Sequence, residues 1–345
     1  MPTMTRTKTF IIAEIGVNHN ADFDLAVQMI EAAAACGVDA IKFQTAIPEL
    51  VQTRQAPKAE YQKVTTGNAD ESQLEMSRKF HFAHDAFPKL KAEVEKHGVQ
   101  FLSTAFDLKS LDYLTSMGET VYKIPSGEIT NLPYLRAIAQ RASQVYISTG
   151  MATFEEVEAA VNALLEAGQR REQITVLQCN TEYPSPFEDV NLNAMVEMGR
   201  RLGLAYGLSD HTPGIEASLA AVAMGATLIE KHFTTDRSLP GPDQHASLIP
   251  AEFEALVKGI RRVELAMGSA EKKPSPSEAK NKFIARRSVF AAVDLPAGTV
   301  LSMDNLVVLR PEGGISPMRI DELIGRTLNC DLSAQTAISW DHLEG

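Results

Sequence analysis

The chain has 345 residues, 44% of them hydrophobic and 22% charged, which excludes a disordered protein and suffices for more than one packed domain. Lys and Arg number 33 against 44 Asp and Glu, a formal charge of −11, so nucleic acid is not an expected partner. No apolar run reaches the ~20 residues of a membrane span and no signal-peptide core follows Met1, while three scattered cysteines (Cys36, Cys179, Cys330) form neither a disulfide framework nor a zinc site, so a cytoplasmic protein of two domains is expected.

Short β-branched runs alternate along the chain with longer segments of helical spacing. The predicted strands are Thr9–Ile15, Ala40–Thr45, Val99–Ala105, Val121–Pro125, Gln144–Ser148, Ile174–Cys179, Leu204–Leu208 and Thr227–His232. Their near-continuous hydrophobicity is that of strands covered on both faces. Between them Asp24–Ala35, Phe154–Glu166, Leu192–Arg201 and Ile215–Met224 read as helices, and Thr153-Phe-Glu-Glu156 as a capping box. Gly37, Gly98, Gly168, Gly203 and Gly225 stand where helices should stop. Eight βα units in about 265 residues predict a (β/α)₈ TIM barrel over residues 1–268. An open doubly wound sheet is the alternative, but no Gly-x-Gly-x-x-Gly follows the first strand. The polar stretch Pro48–Phe80, with Gly67-Asn-Ala-Asp-Glu inside it, reads as a loop insertion on the mouth side. Residues 269–285, charged and proline-punctuated, are expected to be a linker. Residues 286–345 are expected to be a small β-rich domain, with strands in Ser288–Val293, Thr299–Leu301 and Leu306–Leu309.

Barrel enzymes place their chemistry where strands end, and here polar residues collect at all eight ends. They are Glu14 to His19, Lys42 and Gln44, Ser103 and Thr104, Lys123 with Ser126 and Glu128, Ser148 and Thr149, Cys179 to Tyr183, Ser209 with His211, and Glu230 with His232. Residues two apart on a strand share a face, so Lys42 goes with Gln44, Ser209 with His211 and Glu230 with His232. A lysine inside an apolar strand needs a compensating anion. Lys42 and Lys123 therefore read as a phosphate or carboxylate clamp, with Ser103, Thr104, Ser126 and Ser148 as hydroxyl donors, or else as buried structural ion pairs. His211 and His232 end neighbouring strands and can share one divalent ion, with open positions left for water and a substrate oxygen. Glu14 and Glu128 can orient water or move protons, or pair with Lys42 and Lys123. His19 is a weaker candidate; His81, His84, His97 and His342 read as surface residues, and Cys179 as a buried inert thiol.

Read in order, these strand ends resemble the sialic acid synthase family. The matching stretches are Ala13-Glu-Ile-Gly-Val-Asn-His19, Ile41-Lys-Phe-Gln-Thr45, Ser103-Thr104, Lys123-Ile-Pro-Ser-Gly-Glu128, Ser148-Thr-Gly150, Leu208-Ser-Asp-His-Thr212, Glu230-Lys-His-Phe233 and Leu239-Pro-Gly-Pro-Asp-Gln-His-Ala-Ser-Leu248. The C-terminal part resembles an antifreeze-like (SAF) domain. The resemblance implies condensation of phosphoenolpyruvate with a six-carbon N-acetylamino sugar to a nine-carbon 2-keto acid. C3 of phosphoenolpyruvate would attack the open-chain aldehyde, water would add at C2, and phosphate would leave by C–O cleavage. It also implies a divalent metal, Mn²⁺ preferred with Mg²⁺ or Co²⁺ possible, on His211 and His232. Lys42, Thr104, Lys123, Ser126, Ser148 and Ser209 match phosphoenolpyruvate-binding positions, with Asn180 and Thr181 both candidates beside them. Glu14 and Glu128 match acids of proton transfer and water positioning, Gln44, Tyr183 and Asp243 sugar-side positions, and Glu230 a further substrate-side position. A domain-swapped homodimer would bring Arg310 to the N-acetyl group of the partner's sugar. Cys179-Asn-Thr-Glu-Tyr-Pro184 looks like N,N′-diacetyllegionaminate synthases, whose acceptor is 2,4-diacetamido-2,4,6-trideoxymannose. N-acetylmannosamine and the pseudaminate precursor remain alternatives, as does a pyruvate-dependent metal aldolase.

Overall fold

A computed structural model describes residues 8–68 and 70–344; the N-terminal run before Lys8, Ala69 of the insertion and Gly345 lie outside the described residues. The chain divides into two compact units, Met1–Gly268 and Ser269–Gly345.

The first unit is built on strands β1 (Phe10–Gly16), β2 (Ala40–Thr45), β3 (Gln100–Ala105), β4 (Val121–Ile124), β5 (Gln144–Ser148), β6 (Ile174–Cys179), β7 (Ala205–Asp210) and β8 (Leu228–His232). Every ladder in the sheet is parallel and the order is β3-β2-β1-β8-β7-β6-β5-β4. Pairing of β1 with β8 excludes the open-sheet alternative. Strands β3 and β4 run side by side, so the ring is nearly closed, although no ladder joins them among the described residues. Helices alternate with the strands as their periodicity predicts, including Phe23–Ala35 and Phe154–Glu166; the latter is opened by the Thr153/Glu156 box, with Thr153 N donating to Glu156 at 2.8 Å.

Alternation along the strands sorts the barrel interior into levels. The floor is an apolar cluster of Ile12, Ala40, Leu102, Leu177 and Leu228. Two residues further on, the same faces carry Glu14, Lys42, Thr104, Cys179 and Glu230, joined by Lys123, Ser148 and Ser209, and the next step brings Gln44, His211 and His232. Outward-facing Ile11, Ile41, Phe43 and Ile229 pack under the helices. Lys231 and Asp210 also face outward, as a fully buried pair at 2.8 Å. The apolar floor is why the polar level can open only toward the strand C-termini.

Gly207 marks how tightly that floor is packed: a Cβ there would stand 2.2 Å from the Leu228 carbonyl oxygen. Gly207→Ala should therefore destabilise the barrel by about 1–3 kcal/mol. Thermal melting checks this, and an unchanged midpoint would contradict the close approach.

The second unit carries a helix at Pro276–Ala285, then an antiparallel pair, β9 (Ser288–Ala291) with β10 (Leu306–Leu309), and isolated bridges such as Val300 with Thr327 and Leu295 with Leu332. Val289, Leu301, Leu323, Leu328 and Ile338 form its core. Two expectations are corrected here. The segment 269–285 is not a plain linker: Pro276 fills the first helical turn and Glu278 accepts from Ser275 N at 2.9 Å, so the prolines that suggested a spacer instead start a helix. The strand expected at Thr299–Leu301 is reduced to a single bridge.

Candidate active site

Four charged side chains interlock at the polar level of the barrel. Lys42 Nζ lies 2.8 Å from Glu14 Oε2 and 3.5 Å from Glu230 Oε2, and donates to Thr104 Oγ1 at 3.1 Å. Lys123 donates to Glu230 Oε1, which also accepts from Ser209 Oγ at 2.9 Å. Lys123 on β4 reaches Glu230 on β8 across the barrel. The two acids take opposite characters. Burial pushes Glu14 up to about 7 against the pull of Lys42. Burial pushes Glu230 up as well, but Lys123 and Lys42 outweigh it and hold that carboxyl far below the usual range. The buried-ion-pair alternative thus holds for Glu14 with Lys42, but Lys123 pairs with Glu230 and not with Glu128.

Above this level the rings of His211 and His232 lie 5.3 Å apart between centroids, tilted by 55°. The Nδ1 of His211 meets the Asn180 carbonyl at 2.5 Å, and Nδ1 of His232 is buried without a hydrogen-bond partner. Burial and the neighbouring His211 keep His232 well below the ordinary imidazole range. Tyr183 stacks on His211 at 4.0 Å and meets His232 edge-on at 5.4 Å. Gly16, at φ +58, lets β1 pass this point: a Cβ there would come within 3.1 Å of both Gln44 and Glu14.

Two adjoining cavities open here. The inner one, about 190 Å³, is lined by Glu14, Lys42, Thr104, Lys123, Ser126, Cys179, Thr181, Glu230 and both histidines. The outer one, about 360 Å³, shares Gln44 and Tyr183 with it and adds Glu128, Asp243 and much of the insertion. Together they fall in the ~300–1,000 Å³ range of small-molecule sites. The insertion forms helices Pro48–Val51, Glu60–Thr65 and Gln73–Phe80, and these wall the outer cavity as expected of a mouth-side loop. Burial raises the Asp243 carboxyl to about 6 against the pull of His211.

Some expected residues stand apart. Glu128 lies at the outer cavity, accepting from Asn131 at 2.6 Å, and does not join the lysines. Ser126 accepts from Gly150 N at 3.0 Å; Ser148 is buried with its hydroxyl unpaired and lines neither cavity. The Asn180 side chain is taken up by Glu182 N at 2.7 Å and Ser185 at 3.1 Å, so Thr181 is the one of that pair that faces the inner cavity. Arg310 follows β10 in the second unit, exposed and without an ion-pair partner among the described residues. His19 is core: fully buried, stacked on Phe82 at 4.2 Å, and lowered by burial to about 3. His81 and His84 are half-buried and not surface residues; His81 lines the outer cavity and His84 stacks on Tyr113. Cys179 walls the inner cavity 4.0 Å from His211 Nδ1; burial would raise its thiol, but His211 and Lys123 bring it to about 7. Sequence reasoning missed Tyr61 and Gln73, whose only local signal was the polar composition of the insertion.

No helix among the described residues is long and apolar enough to cross a membrane, and none of their His, Cys, Asp and Glu side chains forms a group of three or more able to hold a metal ion. Comparison with known proteins identifies the scaffold. The SAF domain model matches residues 286–344. The N,N′-diacetyllegionaminic acid synthase of Campylobacter jejuni is 49% identical over 92% of this chain and 95% of its own, and that of Legionella pneumophila 43% identical over 97% and 94%. The crystal structure of an N-acetylneuraminic acid (sialic acid) synthetase from Leptospira borgpetersenii, in complex with citrate, superposes with a TM-score of 0.69 at 33% identity, covering 80% of this chain and 90% of that one. The NeuB family model matches residues 29–272, which takes in strands β2 to β8 and every lysine, acid and imidazole of the site except Glu14, and the chain belongs to the NeuB family.

Proposed function

We propose that this chain condenses phosphoenolpyruvate with 2,4-diacetamido-2,4,6-trideoxymannose to give N,N′-diacetyllegionaminate and phosphate. The observation that carries it is the pair of buried ammonium groups, Lys42 and Lys123, at the closed end of a cavity whose mouth is framed by two imidazoles. The acceptor rests on the relatives: those named for N,N′-diacetyllegionaminic acid resemble this chain more than the synthetase named for N-acetylneuraminic acid does.

Phosphoenolpyruvate is a small polyanion, and Lys42 and Lys123 with the Thr104 and Ser126 hydroxyls supply its counter-charge and donors. Glu230, held ionised by Lys123 and Lys42, stays paired with both lysines between turnovers. Glu14, near 7, holds a proton in part of the population at neutral pH, and an arriving anion beside it raises that fraction. It is therefore suited to give a proton to the aldehyde oxygen as C3 of the enol bonds to C1 of the acceptor. Water then adds at C2, and the C2–O bond breaks to release phosphate. Glu128, Gln44, Tyr183 and Asp243, all facing the outer cavity, hold the sugar and the incoming water.

The site fits a divalent ion. A bond from His211 Nδ1–H to the Asn180 carbonyl leaves Nε2 with its lone pair, and His232 is kept neutral by burial with an unbonded Nδ1. An ion held by these two imidazoles, Mn²⁺ ahead of Mg²⁺ or Co²⁺, would polarise the acceptor's aldehyde oxygen.

A domain-swapped homodimer, with Arg310 meeting the N-acetyl carbonyl of the partner's sugar, completes the proposal; a guanidinium free of other partners is suited to that carbonyl. Arg310→Ala should raise the acceptor's KM at least tenfold and that of phosphoenolpyruvate less than twofold. Steady-state kinetics check this, and equal effects on both would argue against the contact. Use of phosphoenolpyruvate, a metabolite of central carbon metabolism, supports a cytoplasmic location.

Mass spectrometry of the product formed from an equimolar panel of acceptors tests the reading. The expected species is N,N′-diacetyllegionaminate with one phosphate per product. Product from N-acetylmannosamine alone would make it an N-acetylneuraminate synthase, and turnover of pyruvate without phosphate release would make it an aldolase.

A further inference from the structure

We propose that the buried pair of Asp210 and Lys231 positions His211 and His232 for one shared divalent ion; this rests on the metal reading above. Ser209 with His211 and Glu230 with His232 face the barrel interior, so the intervening Asp210 and Lys231 point outward, toward the helix Glu216–Ala223. Both side chains are fully buried, with Lys231 Nζ 2.8 Å from Asp210 Oδ2. Leu208, Ile229, Ala217 and Ala221 belong to the apolar core on this outer side of the barrel. Apolar residues of similar bulk are often as stable as a buried ion pair, or more so. Stability alone therefore does not account for two charges here.

The remaining bonds of the pair converge on the chain around His211. Asp210 Oδ1 accepts from Thr212 N at 2.9 Å and from Thr212 Oγ1 at 2.7 Å, and Asp210 Oδ2 accepts from Ser218 Oγ at 2.5 Å. Lys231 Nζ also donates to the Thr212 carbonyl at 2.7 Å. The residues on both sides of His211 are thus bound to Lys231, which immediately precedes His232. His211 needs such a tie. The ladder between β7 and β8 runs from Gly207 opposite Leu228 to Asp210 opposite Lys231, and His211 follows the end of β7. Its own bonds, from Nδ1 to the Asn180 carbonyl and from Ser185 N to its carbonyl at 2.9 Å, lead to the loop after β6. His232, by contrast, still stands in register with Glu14 of β1. A shared ion needs one nitrogen of each ring within about 2 Å of the same point. The spacing of β7 and β8 at this height therefore decides how well it is held.

Titration with Mn²⁺ alone, followed by the electron paramagnetic resonance of the free ion, tests this, because the stoichiometry reports the folded fraction and the Kd reports the geometry. Asp210→Asn/Lys231→Met strands no charge and should raise the Kd of Mn²⁺ about tenfold or more, with the KM of phosphoenolpyruvate at saturating Mn²⁺ within about twofold of the wild type. Thr212→Val, which keeps the shape and removes one bond to Asp210, should raise that Kd about threefold. Val161→Ala, a truncation in the core under the helix Phe154–Glu166, should lower the melting temperature and leave the Kd unchanged. An unchanged Kd in the double variant, or in Thr212→Val should the double variant not fold, would overturn the positioning role while leaving the metal reading intact. So would a comparable rise in Val161→Ala, or a matching loss for phosphoenolpyruvate. A wild-type protein that binds no Mn²⁺ would overturn both.

Discussion

Replacing His232 with alanine is expected to lower kcat/KM by about 10³-fold or more while the barrel stays folded, and His211→Ala should do the same. The two rings stand side by side, tilted by 55°, in the wall of the inner cavity, and among the described residues neither bonds to the Lys42–Glu230 network. Removing His232 also removes a buried nitrogen that has no partner, so the lost packing is offset by a relieved desolvation cost. Stability should therefore stay within ~1 kcal/mol of the wild type. Phosphate release and thermal melting on the same preparation check both halves. Chelation should silence the wild type reversibly, with Mn²⁺ restoring it. Full activity of either alanine variant would remove the imidazoles from the chemistry.

The second large effect is expected at Lys42. Lys42→Met leaves Glu14 and Glu230 as two buried carboxyls with only Lys123 as counter-ion. Breaking a buried pair from one side costs about 3–5 kcal/mol because the stranded charge has no partner. Loss of one ammonium of the clamp should also raise the KM of phosphoenolpyruvate by about 100-fold. The double variant Lys42→Met/Glu14→Gln removes the stranded charge with its partner, so it should recover much of the stability and none of the activity. Melting curves of the single and double variants separate the two contributions. A double variant no more stable than the single one would show that Glu14 and Lys42 are not coupled.

Much of this arrangement is local enough to be read from the residues. Strand bounds at Ala40–Thr45, Gln144–Ser148 and Ile174–Cys179 follow from β-branched runs closed by polar residues, and period two puts Glu230 with His232 and Ser209 with His211. The helix-stopping glycines, Gly37, Gly98, Gly168, Gly203 and Gly225, all take the positive φ their positions demand. Contacts across the barrel were not legible, because they depend on register and closure. Period two puts Glu230 on the same face as His232, but that it is the counter-ion of both lysines depends on contacts between strands. Glu128, close to Lys123 in sequence, is carried off to the outer cavity by the 3₁₀ turn Ser126–Glu128. The insertion hid its order for a different reason. Its helices are too short for periodicity, and they are tied by a buried Lys58 that donates to Thr66 at 2.8 Å and pairs with Glu71 at 3.1 Å. Helix Pro276–Ala285 was readable after all, from Ser275 followed by Pro276 and Glu278, but the proline count pointed to a spacer.

Phosphoenolpyruvate carrying ¹⁸O in its C–O–P bridge, reacted once with the diacetamido acceptor and Mn²⁺, tests the central claim most directly. If Lys42 and Lys123 hold the enol phosphate for attack from C3, the label leaves entirely in inorganic phosphate, one per nine-carbon acid formed. Unlabelled phosphate, or phosphate released at the same rate with no acceptor present, would contradict the account.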